Sequence, residues 1–152
     1  MRLDEVNRKI LSILQRDGSI TNADLARLIG LAPASTLERV KKLEQSGAIR
    51  KYSAIVDQEQ VGLPITAFVE IAITDHSTEA VTEFSRHVKA IPEVLECHHV
   101  AGNNDFLLKV VATDIAGYER FILDRIATLA NIGKITTVFV LSTVKRDGAI
   151  PV

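Results

Sequence analysis

Two groups of residues in this chain have types and spacing that could do specific chemistry. The first lies between Pro33 and Ser46, where a helix-forming run carries Ser35, Thr36, Arg39 and Lys42, with Glu38 among them. Short hydroxyl side chains let a helix backbone approach a DNA groove, a guanidinium reads guanine edges, and an ammonium meets phosphate. That is the chemistry of major-groove reading by a helix over 33–46. An ordinary helical hairpin with a solvated polar face accounts for the same residues about as well. The second group is Glu96-Cys97-His98-His99. Strand neighbours face opposite sides, so only Cys97 and His99 can share one ligand, and Glu96 and His98 the other. Two ligands without a third make a poor zinc site. A Glu–His pair with neither nucleophile nor phosphate-binding loop supports no reaction. The expectation is no enzyme, no metal and no cofactor, with Cys97 a half-buried small apolar residue.

The elements that would position the first group can be read around it. In Asn22–Gln45, Leu25, Leu28 and Ile29 give a first helix an apolar face. Thr21 and Asp24 form a capping-box-like start, and Gly30 stops the helix. Pro33 suits the first turn of the next helix, which continues with Leu37, Val40 and Leu43 as its stripe and ends at Gly47. Before them, residues 4–16 read as an opening helix capped by Asp4, with Val6, Ile10, Ile13 and Leu14 at helical spacing. Three helices can share one small core. Asn22 and Arg27 join the DNA-contact candidates. So do Arg50 and Lys51, in a β-rich stretch (AIRKYSAIVD) that reads as a strand or short hairpin forming a wing. Two solvated charges on an edge strand explain that last pair equally well.

A chain of 152 residues holds one ordinary domain or two small ones. Its 47% hydrophobic and 24% charged content is that of a globular protein. With one cysteine, no intrachain disulfide is possible. Neither a signal core nor a membrane-length apolar run is visible, and a cytoplasmic location is expected. The net charge of −1 conceals an asymmetry. Residues 1–52 hold ten Lys/Arg against six Asp/Glu, a balance of +4, whereas 53–152 hold eight against thirteen, a balance of −5. A basic first third is the footprint of a nucleic-acid module.

Gly62 and Pro64 mark 58–64 as a linker, separating a helical domain over 1–57 from a second domain over 65–152. There the apolar period changes to two, and the elements run βαββαβ, a ferredoxin-like α+β arrangement. Ile65, Ala67, Val69, Ile71 and Ile73 oppose Phe68 and Ala72; Phe106, Leu108 and Val110 oppose Leu107 and Val111; Phe139 and Leu141 oppose Val138, Val140 and Val144. A sheet apolar on both faces needs a cover on its helix-free side, most simply a second copy.

Together these parts resemble the Lrp/AsnC (feast/famine) family of transcriptional regulators, along nearly the whole chain. The likeness rests on LDEVNRKILSILQRDGSITNADLARLIGLA, on RVKKLEQSGAIRKYSAIVD, and on PEV followed by AGNNDFLLKV. The resemblance implies a DNA-binding regulator that responds to an amino acid or related small molecule. It also implies a homodimer that often assembles to tetramers or octamers, with effector sites between dimers. One departure is Ala32, where the family commonly has Ser, so that side chain cannot cap the helix. The carried-over effector residues are Val100, Ala101, Gly102, Asn103, Asn104 and Asp105, with Thr136 and Thr137 on the last strand. Amides around a Gly-Asn-Asn turn can hold a carboxylate, and Asp105 or a carbonyl can meet an ammonium. The turn alone explains these residues about as well. A βαββαβ sensor acting through protein–protein contacts, without specific DNA binding, is the alternative.

Overall fold

Capping side chains set where the helices begin. In the computed structural model, which describes residues 3–146 and 148–152, the Asp4 carboxylate accepts the Asn7 amide at 2.7 Å and opens α1, Glu5–Leu14. The Thr21 hydroxyl accepts the Asp24 amide at 3.1 Å and donates to the Asp24 carboxylate at 2.6 Å, opening α2, Asn22–Ile29. Gly30 closes α2 with φ of +74°, a conformation in which a Cβ would be strained. Helix α3, Pro33–Gln45, starts at Ala32 without a side-chain cap, as its alanine dictates.

The three helices enclose Ile10, Leu11, Leu25 and Leu43, with Val6, Ile13, Ile29 and Val40 packed around them. Full burial of each such side chain stabilises by about 1.5–3 kcal/mol. The first compact unit comprises Met1–Ile55 and Val144–Val152. Its last residues return to α1, where the Gln15 side chain donates to the Ile150 carbonyl at 3.1 Å and accepts its amide at 2.7 Å. Residues 48–57, expected as a strand or wing, form no strand. Among the described residues they find no ladder partner, and Ile55 and Val56 are exposed.

The second unit is Val56–Thr143. The compact division thus differs from the expected one at both ends. Residues 58–64 belong to the second unit, and the last nine residues to the first. The physical reason for the former is hydrogen bonding. Asp57 accepts the Glu59 and Gln60 amides, and Gln58 donates to the Leu63 carbonyl and the Thr66 hydroxyl, each at 3.0 Å. An ordered turn stands where glycine and proline suggested a linker.

Four antiparallel strands follow: β1 Ile65–Ile73, β2 Val94–His99, β3 Phe106–Ala112 and β4 Ile132–Phe139, in the order β2-β3-β1-β4. Helix α4, Thr78–Lys89, and helix α5, Ile115–Phe121, lie on one face. The second helix of the βαββαβ order is not uniform: capped by Asp114, α5 passes into a π-helical turn, Ile122–Ile126. Ala67, Val69 and Ile71 of β1 are fully buried against Phe84, Val88, Phe121 and Ile126. The Phe84 and Phe106 ring centroids are 4.3 Å apart.

The opposite face is mixed rather than apolar throughout. Register places Phe68 between Lys109 and Val138, and Glu70 between Leu107 and Thr136. Glu96 pairs with Lys109 at 3.0 Å. The last strand stops at Phe139, opposite Ala67, with one further bond from the Val140 amide to the Thr66 carbonyl at 2.9 Å, and Leu141 and Val144 lie exposed outside it.

Candidate functional sites: the third helix and the β2–β3 loop

Helix α3 keeps Val40 and Leu43 inward as its apolar letters suggest, but its third core position falls to Thr36 rather than Leu37, one residue earlier around the helix. Leu37 is 43% exposed, whereas Thr36 is fully buried with Val40 and Leu43 beneath the helix. The Thr36 hydroxyl donates to the Ala32 carbonyl at 3.1 Å, which satisfies it without solvent. Thr36 is therefore a core residue and cannot meet DNA. Arg39 is also redirected. Its guanidinium donates to Asp4 at 2.7 Å and to the Asn7 side-chain carbonyl at 3.0 Å, tying α3 to α1. The same pairing holds the Asp4 carboxyl below the usual range. The expected guanine-reading arginine is a strut between helices.

The other candidates divide. The Asn22 amide donates to the Pro33 carbonyl at 2.9 Å and fastens α2 to the first turn of α3. Arg27 pairs with Asp24 at 2.6 Å, and Lys42 with Glu38 at 2.7 Å, both on the surface. Ser35 is exposed at the start of α3. Arg50 and Lys51 are exposed and, among the described residues, have no ion pair. Lys41 is equally free and lies on the open side with Ala34 and Glu38. Sequence reasoning passed over Lys41 because it assigned Leu37 to the core; counting from Thr36 instead would have found it.

The second unit gathers most of the expected effector residues. The loop from Val100 to Asp105 joins β2 to β3, and Gly102 has φ of +148°. Among the described residues, the backbone amides of Ala101, Gly102, Asn103 and Asn104 donate no hydrogen bond. These residues, Val100, Glu70 and Leu107 line a cavity of about 400 Å³. The Asn104 side-chain amide donates to the Glu70 carboxylate at 2.9 Å, and Thr136 lies across the ladder from Glu70. Glu70 is the residue that sequence reasoning missed. A lone carboxylate inside the run ITAFVEIAI was the signal.

Two expected members face elsewhere. The Asp105 carboxylate accepts the Ile73 amide at 2.8 Å and lies 3.1 Å from His76 Nε2, with its side chain only 20% exposed. It fastens the loop to the end of β1 and is not open to an ammonium. Thr137 turns to the helix side, where its hydroxyl pairs with that of Tyr118. Alternation along a strand sends Thr136 and Thr137 to opposite faces.

Cys97 lies on the exposed edge strand, its thiol turned toward the cleft beneath α4, and desolvation there pushes its pKa up. Glu96 pairs with Lys109 and lies 3.1 Å from His98, and both partners hold its carboxyl below the usual range. Among the described residues no three His, Cys, Asp or Glu side chains are grouped to hold a metal. No described helix is long and apolar enough to cross a membrane.

Residues 3–50 match the winged helix-turn-helix DNA-binding family, and residues 66–150 match the Lrp/AsnC ligand binding domain. The chain belongs to the Lrp/AsnC family. It is 37% identical over 150 residues to the transcriptional regulator AzlB of Bacillus subtilis, covering 99% of this chain and 96% of that one. It is 37% identical to the leucine-responsive regulatory protein of Haemophilus influenzae, covering 95% and 87%. A Neisseria meningitidis transcriptional regulator solved with L-Met superposes with a TM-score of 0.94 at 33% identity, covering 99% of this chain and 97% of that one. The family assigns the two units their classes of work: a helix-turn-helix that binds DNA, and a ferredoxin-like domain that binds a small ligand. These relatives are transcriptional regulators rather than enzymes.

Proposed function

We propose that this protein is a cytoplasmic, homo-oligomeric regulator whose affinity for DNA is set by an α-amino acid held at the β2–β3 loop. The observation that carries the reading is the pairing of Glu70 with four unengaged loop amides in one cavity of about 400 Å³. A zwitterion needs an anionic partner for its ammonium and donors for its carboxylate. Glu70 supplies the first, with Asn104 fixing its carboxylate and Thr136 beside it; the amides of Ala101–Asn104 supply the second. The solved Neisseria relative holds L-Met. Phe68 and Val138 leave apolar area open on the same face, which a second copy would cover.

DNA contact falls to the open side of α3, through Ser35 and Lys41 with Lys42 at the margin, and to Arg50 and Lys51 beyond it. Arg39 and Asn22 act as positioning residues behind them. Anisotropy titration of a labelled duplex, with and without each common L-amino acid, tests the reading on wild type and Glu70→Gln. The expected result is an affinity shift by at least one amino acid in wild type, lost in Glu70→Gln. An amino acid that shifts both proteins alike would remove Glu70 from the site, and duplex binding independent of salt would remove the DNA reading.

A further inference from the structure

A second charged cavity lies in the same unit, at the other end of β3 from the Glu70 loop. It has a volume of about 310 Å³ and sits among the start of β2, the end of β3 and α5 with its π-helical turn. Glu93, Asp124, Arg120 and Arg125 all line it. Arg120, Asp124 and Arg125 are exposed along its rim, and Glu93 is half-buried at its floor. Among the described residues no ion pair joins either arginine to either carboxylate, so both guanidinium groups remain open to a ligand.

Glu93 sharpens the point. Its Oε2 is buried and, among the described residues, has no hydrogen-bond partner, a state that buried polar atoms rarely keep. Its backbone cannot swing away, since Pro92 precedes it and its carbonyl accepts the Val111 amide at 3.0 Å. Arg120 is folded back over α5, its Nη2 3.7 Å from where a Cβ on Gly117 would stand. Leu63 and Phe121 supply an apolar wall.

We propose that this cavity is a second small-molecule site, taking a zwitterion of amino-acid size. Its ammonium meets Glu93 Oε2, its carboxylate meets the guanidinium groups of Arg120 and Arg125, and an apolar substituent rests on Leu63 and Phe121. Each charge of the ligand answers a group the chain itself leaves unanswered. The volume reaches the lower end of the range for small-molecule pockets, about 300–1,000 Å³. The site shares no residue with the Glu70 loop. The choice of ligand class rests on the amino-acid reading above, so the test separates the two sites.

The common L-amino acids are screened by thermal shift, and ligand stoichiometry is measured by equilibrium dialysis, on the full chain. Four proteins are compared: wild type, Gly102→Val to disable the loop site, and Gly102→Val carrying either Glu93→Gln or Arg120→Ala. The expected result is residual binding in Gly102→Val, weakened at least tenfold by each added substitution. Glu93→Gln should also leave the ligand-free melting temperature unchanged, because the buried Oε2 makes no hydrogen bond that could be lost; a merely structural role would lower it. Three results would overturn the proposal and leave the loop site standing. One is Gly102→Val binding no amino acid that wild type binds. Another is residual binding indifferent to Glu93 and Arg120. The last is a change in assembly mass on sedimentation with ligand stoichiometry unaltered, which would make the cluster a subunit contact. Binding of no amino acid by any of the four proteins would remove both readings.

Discussion

Exchanging Thr36 for Val, and separately Lys41 for Ala, distinguishes the two assignments of the inward face of α3. Thr36 is fully buried, and its hydroxyl donates to the Ala32 carbonyl at 3.1 Å. That carbonyl also accepts the Thr36 amide at 3.0 Å, so removing the hydroxyl leaves no acceptor orphaned. The hydrogen bond removed is worth about 0.5–1.5 kcal/mol net, and the methyl that replaces it regains about 0.8 kcal/mol of burial. The balance lies within about 1 kcal/mol, or about 2–4 °C in Tm for a chain of this length. Thr36→Val should therefore melt and bind duplex nearly as wild type does. Lys41 faces outward without an ion pair among the described residues. Lys41→Ala should lower the slope of log affinity against log salt by about 0.9 for each phosphate that the ammonium neutralises. Anisotropy titrations across a salt series, beside a calorimetric melt of each variant, read both effects. A Thr36→Val protein that melts normally yet no longer binds duplex would place Thr36 in the interface and refute this assignment of the inward face. An unaltered slope in Lys41→Ala would do the same from the other side.

Three further outcomes follow from the second unit. Asp105→Ala should lose about 1–3 kcal/mol in chemical denaturation, because it orphans the Ile73 amide; an equal loss without amino acid present separates this from an effector role. Gly102→Val should abolish the amino-acid response in duplex titrations, since φ of +148° excludes a β-branched residue. A response equal to that of wild type would place the pocket elsewhere. Glu96 has its carboxyl lowered by Lys109 and His98, so its stabilisation is present above the ordinary glutamate range, near about 4.3, and fades as pH falls through the folded value. Glu96→Gln should flatten that acid limb in Tm measured against pH, and an unchanged limb would show that the pair contributes nothing.

The helices were legible where local chemistry decides the outcome. Asp4, Thr21 and Gly30 act within a turn of themselves, and each caps or stops as its side chain requires. The third core position of α3 was not legible, because Thr36 and Leu37 compete for one buried position and only the neighbouring helices choose between them. A threonine can satisfy its hydroxyl on its own helix, which makes it an acceptable core residue and frees Leu37 to face outward. Arg39 was misread for a related reason. Its partners Asp4 and Asn7 are more than thirty residues away, beyond what any local window holds. On the sheet, alternation separates Thr136 from Thr137 in advance, but the recruitment of Glu70 depends on the register of β1 against β3 and β4.

That register also bears on how a ligand could act. An amino acid at Glu70 touches only the second unit, so its effect on DNA affinity must arise from unequal affinity for two arrangements of the protein. Glu70 lies on the helix-free face with Leu107 and Thr136, and Phe68 and Val138 keep apolar area open beside it. A second copy laid on that face would cover Phe68 and Val138 and border Glu70 at once. Occupancy and assembly would then share a surface, and the arrangement of copies becomes the element the ligand biases. Moving such an equilibrium from 1:99 to 99:1 takes about 5.5 kcal/mol, whereas coupling at one site is typically about 1–3 kcal/mol. A single pocket falls short of a full switch. Several equivalent pockets acting on one assembly reach it, so the response to amino acid should steepen with the number of copies in the complex.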